Sequence, residues 1–273
     1  MTTGLYAHAG AAGDTRPAGD GTTAGYTITD IRQTPSLRSR IEGLVGDSFA
    51  EYMFWESPGN WRWAKLYDLF PEWQLAVLDT NGELVATLDS VPALWDGTVS
   101  GLPGGFDDLI VNAVDAPRDT VWTASSALSL TVGKEHRKAG LPELLLTELR
   151  RRSGNAGHRG VLAPVRPTAK VHYPLVPMSE YMTWTDANGR LFDPWLRTHR
   201  ELGADVVAVA ERSLVIRQPV SRWEGVYGRP MPGPGGYLMP GCLTPVQVGT
   251  DRMGTYAEPN VWAIHPCRPE AGR

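Results

Sequence analysis

Residues 128–167 constrain the fold most, because their pattern is that of a strand, a tight turn, a helix and a second strand. In the first strand, apolar side chains alternate at Leu128, Leu130 and Val132, which is typical of a half-buried strand. Leucines then recur at helical spacing through residues 141–149, and a second apolar strand pattern follows. The segment therefore predicts an α/β fold in which a helix joins two strands.

The turn of this unit, residues 137–142, has the sequence Arg-Lys-Ala-Gly-Leu-Pro and opens the helix. Main-chain N–H groups at a helix N-terminus, with the positive end of the helix dipole, favour a bound pyrophosphate. The basic residues Lys134, Arg137 and Lys138 are near enough in sequence to reach its phosphates. Pro142 has no N–H to donate, although proline suits the first turn of a helix. Two interpretations stay open, a phosphate-binding turn and an ordinary strand-to-helix turn capped by glycine and proline.

The pattern R/Q-x-x-G-x-G/A between a strand and a helix is the acetyl-CoA signature of the GCN5-related N-acetyltransferases (the GNAT family). The turn resembles it at Arg137 and Gly140, whereas Pro142 stands where the family has glycine or alanine. Over residues 26–216 the element order is also similar: a strand, paired helices, a hairpin split by Asn-Gly at residues 81–82, the cofactor unit, a fifth strand, a helix and further strand. The resemblance implies an α/β (α+β) fold with a mixed, mostly antiparallel central sheet flanked by helices.

The resemblance implies an enzyme that moves an acetyl group from acetyl-CoA to the amine of a small molecule, by direct attack in a ternary complex. The segments APVRPTAKVHYPL, FDPWLRTH and EPNVW are similar to a GNAT-like subgroup from high-GC actinobacteria with a long C-terminal extension. Two alternatives stay open. One is a GNAT-like acyl-CoA-binding protein that has lost catalysis, and the other is a natural-product tailoring acyltransferase that uses another acyl thioester.

In a GNAT-like fold the fourth and fifth strands separate, and the pantetheine arm of acetyl-CoA hydrogen-bonds between them. This places the thioester near residues 130–132, whose main-chain N–H groups would stabilise the oxyanion without any side-chain nucleophile. The residues that the resemblance assigns to acetyl-CoA are Leu130, Thr131, Val132, Arg137, Lys138, Ala139, Gly140, Leu141 and Pro142.

Acyl transfer to an amine needs a base for the ammonium and an acid for the departing thiolate. Residues 199–204 resemble the family's Y-x-x-L-G-F, which puts His199 at the position of the usual tyrosine acid, and an imidazolium is able to protonate a thiolate. Tyr173 is the alternative acid. Asp89, at the end of a hairpin strand, and Glu258, in the C-terminal segment, are the candidate bases, and a water relay is the alternative to either.

The sequence divides into three parts. Residues 1–24 have few large apolar side chains to offset the entropy of ordering and are predicted to form a flexible arm. Residues 25–217 form the GNAT-like core, and residues 218–273 form an extension, rich in glycine and proline, that packs on it. The extension is interpreted as a segment that wraps the surface, with a flap over the acceptor site or a dimer interface as alternatives.

The composition of the chain argues against several classes of partner and ligand. A net charge of −4 argues against a general nucleic-acid or anionic-membrane binder, and no apolar run approaches the length of a membrane span. Two cysteines are too few for a disulfide framework, which favours a reducing, cytoplasmic location. The six histidines lack the spacing of a metal site, so no metal is expected. A homodimer is left open.

Overall fold

The computed structural model describes residues 22–23 and 25–267. The helices of this part of the chain are α1 (Arg38–Gly46), α2 (Trp63–Leu69), α3 (Phe106–Val114), α4 (Leu141–Asn155), α5 (Met178–Tyr181), α6 (Pro194–Glu201) and α7 (Val220–Tyr227). The strands are β1 (Thr22–Thr23), β2 (Tyr26–Asp30), β3 (Leu75–Asp79), β4 (Leu84–Ala93), β5 (Ala124–Val132), β6 (Gly160–Val165), β7 (Asp205–Pro219), β8 (Gly235–Tyr237), β9 (Val246–Val248) and β10 (Met253–Pro266). The predicted arm, residues 1–24, lies outside the described residues except for β1.

All ten strands belong to one sheet. Its order is β1-β2-β3-β4-β5-β6-β10-β9-β8, and β7 runs along the other edge of β10. The pair β5–β6 is parallel, and the other strand pairs are antiparallel. The prediction of a mixed, mostly antiparallel sheet flanked by helices is confirmed.

The β3–β4 hairpin turns at Asn81 and Gly82, as the sequence predicts. Gly82 has a φ of +77°, a left-handed conformation that glycine adopts without strain. The Asp79 carboxylate accepts hydrogen bonds from the main-chain N–H groups of Asn81 and Glu83, each at 2.9 Å. The turn fixes the register of β4, the strand that carries Asp89.

Helices cover both faces of the sheet. On one face, which we call the α4 face, Leu145 of α4 is fully buried and packs in one cluster with side chains of β3, β4 and β6. On the opposite face, the α3 face, Ile41 of α1 packs with Ala76 of β3, and Leu109 of α3 packs with Leu162 of β6. The longest helix among the described residues, α4, has 15 residues, and no helix there is long and apolar enough to cross a bilayer.

Helix α3 is an element that the sequence pattern does not predict. It contacts β4 and β7, and it therefore crosses the sheet over the strands between them. Asp107, near its N-terminus, accepts hydrogen bonds from the Ser57 hydroxyl at 2.7 Å and from the N–H groups of Gly59 and Val215 at 3.0 and 3.2 Å. One buried carboxylate thus ties α3 to the loop before α2 and to β7.

The C-terminal segment supplies a central strand of the sheet. Strand β10 pairs with β6 through residues 261–266 and with β7 through residues 253–264. Its side chains Tyr256 and Trp262 are buried in the apolar clusters of the α3 face. Strands β8, β9 and β10 of the segment expected to wrap the surface are therefore part of the sheet itself.

Candidate active site

Strands β5 and β6 form a gap in the sheet. Their parallel pairing is limited to Ser125 with Val161 and Ser126 with Leu162, although both strands continue beyond these residues. Past that point the facing main-chain groups of the two strands do not bond each other, so an extended molecule can hydrogen-bond between them. We call this gap the β5–β6 opening.

A β-bulge lies beside the opening. In the pairing of β4 with β5, Asp89 faces Ser129 but the next residue of β4 faces Ala127, which leaves Leu128 unpaired. Leu128 packs with the clusters of the α3 face, whereas Leu130 packs on the α4 face. Regular alternation would place Leu128 and Leu130 on the same face of the sheet. That prediction is wrong, because the extra residue of the bulge moves Leu128 to the opposite face.

The residues predicted to bind the cofactor lie at the end of β5 and in the turn that leads to α4. These are Leu130, Thr131, Val132, Arg137, Lys138, Ala139, Gly140, Leu141 and Pro142. Gly140 precedes the helix with a φ of 70°, and the first helical N–H groups have no acceptor within the helix. Arg137 is half-buried, and its Nε has no hydrogen-bond partner among the described residues. The free N–H groups and this guanidinium nitrogen fit the phosphates of CoA.

Two residues at the start of α4 oppose phosphate binding. Pro142 has no N–H, and Glu143 has a buried carboxylate oxygen without a partner among the described residues.

We expect Pro142→Ala to bind acetyl-CoA about tenfold more tightly, because a hydrogen bond to a charged group contributes about 1.5 kcal/mol or more. Isothermal titration calorimetry with acetyl-CoA measures the change.

Pro142→Gly is the matched variant for this experiment. It restores the same N–H group but loosens the first turn of α4, so we expect a smaller gain in affinity than with alanine. If both variants unfold at the wild-type temperature and bind acetyl-CoA no more tightly than wild type, the start of α4 does not contribute a donor to the phosphates.

Asp89 lies beside the opening on the α3 face, across from Ser129. Its carboxyl group is fully buried, and Oδ1 accepts a hydrogen bond from the Tyr67 hydroxyl at 2.8 Å. Oδ2 has no partner among the described residues, and neither have the buried hydroxyls of Ser129 and Thr131. Burial raises the pKa of Asp89 to about 7, against the opposing effect of the Tyr67 hydrogen bond. Asp89 is thus a carboxyl group that can accept a proton at neutral pH.

His199 does not have the environment of a charged acid. It is 2% exposed, its Nδ1 lies 2.8 Å from Nε2 of His265, and its ring contacts the ring of Trp195. His265 pairs with Val161 at the closed end of the β5–β6 pair. Burial lowers the pKa of His199 to about 3 and that of His265 to about 4. These lowered pKa values favour the neutral form of both rings and oppose a charged acid at His199, whose catalytic role stays a prediction.

Tyr173 lies on the α4 face, where it packs against a cluster that contains Ala163 and Val165 of β6. Lys170, whose side chain is buried, donates hydrogen bonds to the main-chain carbonyls of Tyr173 at 2.7 Å and Leu243 at 2.8 Å. These contacts hold Tyr173 beside β6 while its side chain stays half-buried. Of the two predicted acids, Tyr173 has the more accessible proton.

Glu258 lies in the middle of β10 as one half of a buried ion pair. Its Oε2 accepts hydrogen bonds from Nε of Arg166 at 3.0 Å and from the Tyr256 hydroxyl at 2.7 Å. A carboxylate already held by a cation is a poor base. Sequence reasoning does not single out Arg166 or Tyr67, and the one available signal is that Arg166 directly follows an apolar strand pattern.

Most of the chain is similar to known proteins. No protein-family model matches the sequence. The chain is similar to the arginine N-acetyltransferase avaD of Aspergillus versicolor, with 31% identity over 275 residues, 89% of this chain and 94% of that protein. The predicted actinobacterial subgroup stays a prediction.

Two solved structures share the fold. One is the loading GNATL domain of CurA from Lyngbya majuscula, with a TM-score of 0.54 and 16% identity over 89% of this chain and 98% of that chain. The other is the GphF GNAT-like decarboxylase in complex with isobutyryl-CoA, with a TM-score of 0.56 and 15% identity over 88% of this chain and 99% of that chain.

Proposed function

Because the chain belongs to the GCN5-related N-acetyltransferase family and is an acetyl-CoA-dependent N-acetyltransferase, we propose that Asp89 deprotonates the amine of its small-molecule acceptor. The observation that carries the proposal is the buried Asp89 carboxyl group, with one oxygen held by Tyr67 and the other without a partner among the described residues. The relative with 31% identity is named as an enzyme. The alternative, a binding protein without catalysis, is therefore less well supported.

Acetyl-CoA supplies an acetyl group activated as a thioester. We assign its pantetheine arm to the open edge of β5 at residues 130–132, and its phosphates to the turn that contains Arg137 and Gly140. The limited pairing of β5 with β6 and the unpartnered Nε of Arg137 support this assignment. Main-chain N–H groups of β5 would stabilise the negative charge that develops on the carbonyl oxygen, each by about 3 kcal/mol.

Two proton transfers are assigned to opposite faces of the sheet. On the α3 face, Oδ2 of Asp89 takes a proton from the acceptor ammonium, while the Ser129 hydroxyl is close enough in the sheet to orient it. On the α4 face, the Tyr173 hydroxyl donates a proton to the departing thiolate. The position of Tyr173 beside β6 supports this role, as does the burial of His199, which lowers the pKa of that alternative acid.

Arginine is the acceptor that we propose to test first, because the relative that matches 89% of this chain is named for it. In the protein itself, the buried Asp89 carboxyl group and the unpartnered hydroxyls of Ser129 and Thr131 suit a cationic, hydrogen-bonding acceptor. The homodimer that the sequence leaves open is kept as a proposal, which light scattering of the purified protein tests.

Cofactor binding is tested by thermal unfolding with acetyl-CoA, free CoA or ATP. A ligand at 100 times its dissociation constant stabilises a folded protein by about 2.7 kcal/mol, so we expect a rise of a few degrees in Tm with acetyl-CoA and CoA but not with ATP. An equal rise with ATP would indicate a general phosphate site, and no rise in folded protein would contradict the assigned cofactor site.

Acceptor use is tested by release of the CoA thiol when arginine is added to the protein and acetyl-CoA. We expect thiol release with an acetylated product of matching amount in the mass spectrum. Thiol release without acetylated arginine would mean hydrolysis and contradict arginine as the acceptor. Faster turnover with a longer acyl-CoA would favour the alternative of a tailoring acyltransferase.

A further inference from the structure

We propose that Arg166, together with Tyr52, binds a carboxylate of the acceptor, so that the substrates are amino acids or other amines that carry a carboxylate. This inference rests on the proposed function, since it assigns the chemistry of the acceptor at the same site. It concerns a pair of donors on the α3 face, on the side of the β5–β6 opening away from Asp89.

The position of Arg166 follows from the alternation of side chains along β6. Val165, the last residue of β6, packs on the α4 face, so the next side chain points to the α3 face. There Arg166 meets Glu258 of β10. Because β6 is one wall of the opening and β5 is the other, Arg166 and Asp89 approach the same gap from opposite sides.

The guanidinium of Arg166 is held by hydrogen bonds from two of its three nitrogens. Its Nε donates to Glu258 and its Nη2 donates to the carbonyl of Gly241. Both oxygens of Glu258 are already engaged, since Tyr256 donates to Oε2 and Asn260 donates to Oε1 at 3.3 Å. Nη1 of Arg166 has no hydrogen-bond partner among the described residues, and the side chain is 22% exposed. A guanidinium with five N–H donors is able to serve a second carboxylate through this free nitrogen.

Tyr52 provides a second donor next to Arg166. It lies in the 3₁₀ turn Glu51–Phe54, its ring packs edge-on against Tyr256 at 5.7 Å, and its side chain is 1% exposed. The hydroxyl makes no hydrogen bond of normal geometry among the described residues, and the Cys242 thiol beside it is only a weak partner. Tyr52 is linked to Arg166 through its neighbours, because its ring packs on Tyr256 and the Tyr256 hydroxyl donates to Glu258. Glu258 in turn pairs with Arg166.

The surroundings of the two donors favour an anion. The neighbouring Cys242 thiol is neutral at pH 7, because burial raises its pKa to about 12. Glu258 is neutralised by Arg166 and offers no free oxygen to repel a ligand. A buried ion pair that only joined β10 to β6 would not require a buried phenol without a strong hydrogen-bond partner, since buried polar groups are normally well paired. A carboxylate satisfies both donors.

The experiment compares arginine with agmatine, which is arginine without its carboxylate, and each of several other amino acids with its decarboxylated amine. For wild-type protein we expect kcat/KM to favour the carboxylate-bearing member of each pair that is acetylated. The test variant is Arg166→Met combined with Glu258→Gln, which leaves no unpaired buried charge. We expect it to lower kcat/KM for arginine about 30-fold or more, mainly through KM, and to leave agmatine within about threefold.

Two further variants separate binding from folding. Tyr52→Phe removes one hydroxyl, and we expect it to lower kcat/KM for arginine about tenfold without an effect on agmatine. Arg217→Met removes an exposed arginine that pairs with Asp251 on another part of the protein. We expect it to leave kcat/KM unchanged for both arginine and agmatine. The Tm and the acetyl-CoA affinity of every variant are measured alongside.

The outcomes distinguish the two proposals. Equal use of arginine and agmatine by wild-type protein, or equal losses for both in the double variant, would overturn the carboxylate site and leave the proposed function intact. Acetylation of other amino acids but not of arginine would remove arginine as the acceptor and keep the carboxylate site. Acetylation of decarboxylated amines alone, or of no amine in the set, would overturn the carboxylate site.

Discussion

Replacement of Asp89 with asparagine is expected to lower kcat/KM about 10²- to 10⁴-fold, which is the usual contribution of a general base. The physical reason is that Asp89 has a free, buried oxygen beside Ser129 and a pKa of about 7. In wild-type protein, kcat/KM should rise with pH up to about 7 and then level off, because the ionised carboxylate is the active form. In Asp89→Asn this rise should disappear. Thiol-release kinetics between pH 5 and pH 9 measure both effects.

Tyr67→Phe is the matched variant. The Tyr67 hydrogen bond stabilises the ionised carboxylate and so lowers the pKa of Asp89. Its removal should move the rise in kcat/KM to higher pH without abolishing activity at pH 9. An Asp89→Asn protein that binds acetyl-CoA and retains wild-type turnover would contradict the assignment of the base and favour a water relay.

The same carboxyl group gives the fold a pH dependence. The folded pKa of Asp89 is about 7 and its ordinary value is 3.8, so between these pH values the folded state binds a proton that the unfolded chain has released. The contribution of Asp89 to the free energy of unfolding therefore falls as pH rises from about 4 to about 7, and it changes little above that. The Tm of Asp89→Asn should increase relative to wild type between pH 5 and pH 8. A constant difference in Tm would contradict the raised pKa.

Removal of residues 220–273 is expected to prevent folding altogether. The deletion takes away β10, which pairs with β6 on one side and β7 on the other, and it removes Tyr256 and Trp262 from the core of the α3 face. Loss of even one large buried aromatic costs about 3 to 5 kcal/mol, a large part of the stability of a typical domain. Circular dichroism and thermal unfolding should show no cooperative transition.

The control for this deletion removes only residues 268–273, which leaves β10 intact. We expect the control protein to unfold cooperatively and to bind acetyl-CoA like the full chain. If the chain without residues 220–273 also unfolds cooperatively and binds acetyl-CoA, the C-terminal segment is a surface extension and β10 is not needed for the sheet.

The parts of the fold that the sequence predicts are those set by local patterns. The Asn-Gly turn at residues 81–82 needs glycine at a positive φ, and such a pair between two apolar strands specifies a hairpin by itself. Helix α4 is predicted because its leucines recur at helical spacing after a glycine that adopts the left-handed conformation. Asp89 is predicted as a candidate base because the sequence puts it at the end of a hairpin strand next to the cofactor unit, whereas β4 continues past it to Ala93.

The parts that the sequence does not predict depend on contacts between distant segments. The bulge at Leu128 is visible only in the pairing of β5 with β4. His199 matches the position of the family's usual tyrosine in its own segment, but it contacts His265, which lies 66 residues away. Arg166 and Glu258 are 92 residues apart, and a pattern within either segment cannot show that they pair. The position of β10 within the sheet is a property of the same kind.

The place of β10 in the sheet affects how the protein is made. About a hundred residues separate the end of β6 from the end of β10, so a ribosome working at about 5 to 20 residues per second releases the two strands roughly 5 to 20 s apart. During that interval the nascent chain holds β6, and in its later part also β7, with the inner edge unpaired. Unpaired apolar edges are the surfaces through which incomplete chains aggregate. The yield of active protein should therefore depend on chaperones that cover these edges during synthesis.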